Sequence, residues 1–375
     1  MDTDAQSRFT IRPRSIRLET SSACQLRCPS CPTTTGAIRP AIGTGLLKPD
    51  DLKHLLDANP ELKRIELSNY GEIFLNPDLP EILRLCEAHG IEASAANGTN
   101  LNTVREEALE AVVRYRLRTL TVSIDGVSQA TYAKYRVRGN IDTVLANITR
   151  INGHKRRLGS DFPVLYWQFI AFGHNLHEIP QAKAMAESLG MGFTVKLSWD
   201  EAVSPVENPD ALRTLMPGGV ATRSEYRERT GLPYLHELCH QLWDAPQVNW
   251  DGKMLGCCRN FWGDFGGNAF TDGLLDAVNN ERMTHARAML RGRAPPRDDI
   301  PCTTCDTYHA MRDTGRWLQR DDVANGQQIT VAEGLRLAAG WKQSGRLDDA
   351  RKMCRTILSA EPANTTALQL LHALG

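Results

Sequence analysis

Cys24-Gln-Leu-Arg-Cys28-Pro-Ser-Cys31 stands directly after a short β-rich run, Ser15–Thr20. Three thiolates on one short loop can hold three irons of a [4Fe–4S] cube, whereas an electron-transfer cluster normally has four cysteine ligands. The fourth iron is then open to a substrate or cofactor, as in catalytic rather than structural metal sites. A structural zinc loop is the competing reading. It loses ground because of where the loop lies.

Outward from this loop, residues 15 to 198 alternate. β-rich runs read Ser15–Thr20, Arg64–Tyr70, Ile91–Asn97, Thr119–Asp125, Val164–Phe172 and Phe193–Leu197. Helical periodicity marks Asp78–His89, Asn102–Tyr115, Ile141–Leu158 and His177–Leu189. Strand–helix alternation implies βαβ crossovers and an α/β fold with a parallel sheet. Six repeats fit a partial (β/α)6 barrel or a six-stranded open sheet. In either, functional residues belong at the carboxyl ends of the strands.

With the loop at the end of the first strand, the sequence resembles the radical S-adenosylmethionine (SAM) superfamily over roughly residues 15 to 197. The resemblance favours the partial (β/α)6 barrel. It implies that SAM chelates the open iron and is cleaved by one electron to methionine and a 5′-deoxyadenosyl radical. Ser30 departs from the pattern, since an aromatic often precedes the third cysteine. Asn69-Tyr70-Gly71-Glu72 resembles the family's Gly-Gly-Glu segment, with Tyr70 in place of the first glycine. Gly71 would let the backbone approach the methionine moiety, and Glu72 would accept from its ammonium. Asn97, Ser123 and Asp125, at the ends of the third and fourth strands, resemble further SAM contacts, and Arg136 resembles an arginine that pairs the SAM carboxylate. Asn175-Leu-His177-Glu178 looks like an adenine-side loop, although a helix cap explains it equally well.

A second cysteine group follows: Cys239-x17-Cys257, then Cys302-x2-Cys305. Trp250-Asp-Gly252-Lys-Met-Leu-Gly-Cys257 reads as a hairpin with an Asp-Gly turn that delivers a thiolate past its second strand. This resembles the SPASM/twitch domain, whose Gly-x4-Cys occupies the same hairpin. Four cysteines would fully ligate one auxiliary [4Fe–4S] cluster, with a zinc site of four cysteine ligands as the alternative. Cys257 and Cys258 compete for one slot, and the spacing favours Cys257. His236 and His240 read as ordinary helix-face residues and Cys86 as a core residue.

The expected division is 1–199 for the α/β core, 200–233 for a linker or cover, 234–318 for the small α+β SPASM/twitch domain and 319–375 for a helical tail. The tail resembles one tetratricopeptide repeat: in a 34-residue frame from Val331, Leu337, Ala338, Trp341, Ala350 and Pro362 take its helix-packing and terminating positions, and Cys354 stands where an aromatic is usual. A single repeat would dock on the body or on a partner.

Lys plus Arg equals Asp plus Glu at 44 each, so no net field favours nucleic acid or an acidic membrane. There is no signal-peptide core or spanning apolar run, and ten cysteines without a secretory context point to metal rather than disulfides. A cytoplasmic location is expected. The resemblance implies a small-molecule or peptide substrate and a reductant such as flavodoxin or ferredoxin. The leading expectation is a two-electron oxidation of a sugar or aminocyclitol carbinol, with the auxiliary cluster accepting an electron. The alternative is peptide modification by epimerisation, thioether or cross-link formation.

Overall fold

The computed structural model describes residues 10–216, 219–319, 331–343, 347–360 and 364–374. The chain forms two compact units, 1–326 and 327–375. In the first, eight strands make one sheet: β1 Ser15–Leu18, β2 Arg64–Glu66, β3 Glu92–Thr99, β4 Thr119–Ser123, β5 Val164–Ala171, β6 Gly192–Leu197, β7 Gln247–Val248 and β8 Met254–Gly256. Their order is β6-β5-β4-β3-β2-β1-β7-β8. β1 to β6 run parallel to their neighbours, β7 runs parallel to β1, and β8 turns back antiparallel to β7.

Helices Pro49–Ala58, Leu79–Ala88, Glu106–Arg114, Ile141–Leu158 and Ile179–Ser188 make the crossovers. Ile141–Leu158 has the expected bounds, for local reasons. The Asn140 side chain accepts from the Thr143 amide at its start, and Gly159, at φ +61°, ends it in the left-handed region. Ile141, Val144, Ile148 and Ile151 are buried at helical spacing. The sequence reading omitted Pro49–Ala58, although its Pro at the first turn and its buried Leu52, Leu55 and Leu56 are ordinary helix signals.

Period-2 alternation assigns the two faces of the sheet. Ile16 and Leu18, Ile65 and Leu67, Leu120 and Val122, and Leu165, Trp167 and Phe169 join the core under the helices. The intervening residues Arg17, Glu19, Glu66, Ser68, Thr121, Ser123, Gln168, Thr194 and Lys196 take the other face. That face is polar. In a flat sheet β6 would lie about 24 Å from β1, five strand spacings away. Yet Lys196 on β6 lies close enough to Arg17 and Glu66 for their charges to act on its ionisation. The sheet is therefore curled, with the polar face inside.

The segment expected as a small domain adds its hairpin, β7–β8, to this same sheet beside β1. Its turn has the anticipated chemistry: Gly252 sits at φ +88°, and a Cβ there would lie 2.1 Å from Asn268 Oδ1. After the hairpin the segment forms two helices, Leu274–Val278 and Glu281–Leu290. Residues 200–233 hold helices Pro209–Leu215 and Arg223–Thr230, with Leu212, Val220 and Ala221 buried.

The second unit contains helices Val331–Gln343, Leu347–Ala360 and Thr365–His372. Ala338, Ala350 and Cys354 meet in its core with Leu374. A Cβ on Gly334 would lie 3.2 Å from Met353 Sδ and Ile357 Cδ1, so small residues bring the first two helices close. Pro362 and the Leu337 side chain lie outside the described residues. Among the described residues no helix is long and apolar enough to cross a membrane.

Candidate active site and second cysteine group

The first cysteine loop leaves β1 at the carboxyl edge of the sheet. Cys28 is buried, and Cys24 and Cys31 are half-buried. Burial pushes the Cys24 thiol up to about 12, with further upward pressure from Glu72, Cys28 and Cys31. Burial also raises Cys28, opposed by the Arg136 charge. Such thiols lose their protons when a metal takes their place. Asn100 Nδ2 donates to Cys24 Sγ at 3.7 Å, and Arg136 Nη1 donates to Cys28 Sγ at 3.8 Å. Among the described residues, no three His, Cys, Asp or Glu side chains converge on one point where a single ion could sit. The three thiols lie close enough for Cys28 and Cys31 to act on the ionisation of Cys24.

The loop after β2 is bound to the cysteine loop through backbone. A Cβ on Gly71 would lie 1.9 Å from Ser21 O and 2.8 Å from Ser22 C, so only glycine lets the two loops touch. Glu72 N donates to Ala23 O at 2.8 Å. The Glu72 side chain is buried; its Oε2 accepts from Asn100 N at 2.6 Å and its Oε1 from Phe74 N at 3.3 Å. Burial raises its pKa to about 7. Tyr70 is held by its backbone: its amide donates to Glu19 Oε1 at 3.1 Å, and its carbonyl accepts from Thr33 Oγ1 at 2.9 Å. Its ring points away from the first cysteine loop, packing edge-on against Phe261 at 5.9 Å beside Cys257 and Cys258.

At the next strand ends, Asn97 Nδ2 donates to Asn69 Oδ1 at 3.2 Å. Ser123 Oγ accepts from Gln168 Nε2 at 3.1 Å. Asp125, fully buried, accepts from Ile170 N at 2.7 Å and from Arg136 Nε at 2.6 Å. Arg136 thus lies beside the Cys24–Cys31 loop, already paired to a carboxylate of the chain itself. Asn175 and Glu178 act as local ties: Asn175 bonds Phe172 N and the carbonyls of Asp125 and Ile170, and Glu178 takes Val127 N, Ser128 Oγ and Thr131 Oγ1.

Sequence reasoning passed over two residues. Glu19, fully buried at the end of β1, binds the amides of Tyr70 and Gly71, and its pKa is raised by burial to about 7. In Arg17-Leu-Glu19-Thr-Ser21 a carboxylate among polar residues gives no signal of burial. Tyr135 places an aromatic ring beside Cys28, with its OH 2.9 Å from Ser30 Oγ. The motif's missing aromatic is answered from another helix, which no linear pattern announces.

Cys239, Cys257, Cys302 and Cys305 come together from three segments. Burial raises Cys302 well above the usual thiol range, with Cys257, Cys239 and Cys305 adding to it. Cys258 turns elsewhere: its sulfur acts on Tyr70 and Lys196, and its carbonyl accepts from Asn69 Nδ2 at 3.3 Å. It faces the polar interior. His236 Nδ1 lies 3.0 Å from Pro233 O, and Cys86 is buried in the core.

Residues 18–166 match the Radical SAM superfamily, a match that implies a [4Fe–4S] cluster and SAM. SuiB of Streptococcus suis bound to S-adenosylmethionine is similar in fold, at TM-score 0.56 and 15% identity over 79% of this chain and 71% of SuiB. SuiB bound to the precursor peptide SuiA gives 0.55 and 13% over 81% and 72%. BtrN in complex with AdoMet and 2-DOIA gives 0.45 and 16% over 78% and 93%. No curated relative matches in sequence.

Proposed function

We propose that this chain, which carries a radical SAM domain over residues 18–166, oxidises a carbinol carbon of a sugar or aminocyclitol by two electrons. The observation behind this reading is the position of Tyr70. Its carbonyl is tied to Thr33, two residues past Cys31, while its ring lies beside Cys257 and Cys258. The two cysteine groups therefore flank one residue at the mouth of a curled, polar-lined partial (β/α)6 barrel. Bound SAM with a first cluster would supply hydrogen abstraction, and a second cluster would take up the electron left as the carbinol loses its proton to become a carbonyl.

In this reading Cys24, Cys28 and Cys31 hold the first cluster, and the Gly71–Glu72 and Asp125–Arg136 segments line the SAM site. Cys239, Cys257, Cys302 and Cys305 hold the auxiliary cluster of a SPASM/twitch-type segment. Full ligation leaves that cluster no open iron, which suits an electron acceptor. A flavodoxin or ferredoxin would reduce the first cluster, and the tetratricopeptide-like tail would serve a protein partner.

Anaerobic reconstitution should give about eight irons per chain, as two [4Fe–4S] clusters. Replacing Cys24, Cys28 and Cys31 with alanine should remove one cluster and all SAM cleavage. Replacing Cys302 and Cys305 should abolish oxidised product while deoxyadenosine still forms. Zinc at the second group would reject the electron-acceptor role. A redox-neutral epimerised peptide product would replace carbinol oxidation by the peptide reading.

A further inference from the structure

We propose that Lys196 and Arg223 form an anion subsite inside the curled sheet, taking a phosphate or carboxylate group carried by the substrate. The inference rests on the reading of this interior as the substrate pocket.

Lys196 lies near the carboxyl end of β6, on the face opposite the core residues Val195 and Leu197. It is half-buried, yet its side chain makes no ion pair or hydrogen bond with the described residues. Arg223 comes from the segment that covers this end of the sheet. Its Nη2 donates to Leu197 O at 3.0 Å, which sets the guanidinium beside the next residue along from Lys196. Its plane lies over Trp199 at 4.3 Å and near Tyr234 at 5.2 Å. Its Nε is buried without a hydrogen bond.

The surrounding charges offset the pair only in part: the carboxylates Glu66 and Glu201 stand against three cations, Lys196, Arg223 and Arg17. Lys196 faces Arg223, Arg17, Glu66 and Cys258, and Arg223 also faces Arg259 and Glu201. Arg17 donates only to neutral oxygens, of Gln247 and Ser68. Glu66 is committed to the amides of Ser68 and Ala96, Glu201 to the amide of Ser224, and Arg259 is paired with Asp306. Burial accordingly pushes Lys196 down and Arg223 down to about 10. Enclosed cations left unpaired are costly, and an oxyanion between a guanidinium and an ammonium removes that cost. A planar donor fork beside a point charge suits phosphate and carboxylate alike.

The test is calorimetric titration of the anaerobically reconstituted full chain with inorganic phosphate and, separately, with malonate. At least one should bind, and Lys196→Gln and Arg223→Gln should each weaken it tenfold or more, with Arg223→Lys weakening it less. Binding of phosphate alone marks a phosphorylated substrate, and binding of malonate alone a carboxylated one. Iron per chain and the melting temperature check that each variant folds. Amine labelling of Lys196 in the unaltered protein, read by mass spectrometry with and without each anion, is a second measurement that needs no variant. Absence of binding, equal binding by the folded variants, or no protection of Lys196 would overturn the subsite. These results stand apart from SAM cleavage: anion binding by a chain that holds no iron would sink the functional reading and leave the subsite.

Discussion

Arg136 donates through Nε to Asp125 Oδ2 at 2.6 Å and through Nη1 to Cys28 Sγ at 3.8 Å. One guanidinium thus ties the carboxylate beyond β4 to the cysteine loop beyond β1. Asp125 has no exposed surface. Removing its cation leaves a buried charge, so Arg136→Met should cost about 3–5 kcal/mol. Arg136→Lys should recover part of the stability but not the two-ended geometry. Urea unfolding measures the first effect and iron per chain the second; a Met variant within about 1 kcal/mol of the parent would contradict the buried pairing.

Glu72 spends both carboxylate oxygens on the amides of Phe74 and Asn100. Glu72→Gln keeps one acceptor and turns an NH2 toward the other amide, so about 1–3 kcal/mol of stability should be lost even without SAM. The loss of charge should weaken SAM binding by roughly 10- to 150-fold, the equivalent of about 1.5–3 kcal/mol. Because burial raises this group to about 7, it becomes a carboxylate only as pH rises through neutrality. SAM affinity in the parent should therefore strengthen from pH 6 to 8, and the Gln variant should show a flatter profile.

Gly71→Ala places a methyl 1.9 Å from Ser21 O. Backbone on both sides cannot yield as a side chain would, so the two loops must separate. Reconstitution of this variant should give about half the parent's iron, lost from the first cluster. Full iron with normal SAM cleavage would show that the loops can move apart freely.

Glu19 adds a pH dependence of stability. Its folded pKa is about 7 against an ordinary 4.5, so the folded state binds the proton more tightly. The associated stability is complete below pH 4.5 and is lost as pH rises through 7, by about 3 kcal/mol at most. Glu19→Gln should remove this loss. The gap between unfolding midpoints at pH 5.5 and 8 should narrow in the variant, leaving the part that Glu72, raised in the same direction, contributes.

Deleting residues 327–375 removes a compact unit that follows both cysteine groups. Iron content and SAM cleavage should persist. Loss of iron would make the tail part of the catalytic core.

The order of elements was legible in the sequence because period-2 and period-3.6 patterns are local. Ile141–Leu158 could be read to the residue from its cap, its apolar spacing and Gly159. The first cysteine group was legible as a spacing because its three thiols share one loop, whereas the second joins three segments and was legible only through its resemblance to a known pattern. Tertiary structure alone decided what meets across the curled sheet: β6 approaching β1, Tyr135 standing beside Ser30, Tyr70 turning toward Cys257, and Lys196 left unpaired beside Arg223. Those relationships join residues far apart in the chain, and they depend on sheet curvature and burial, which no local pattern encodes.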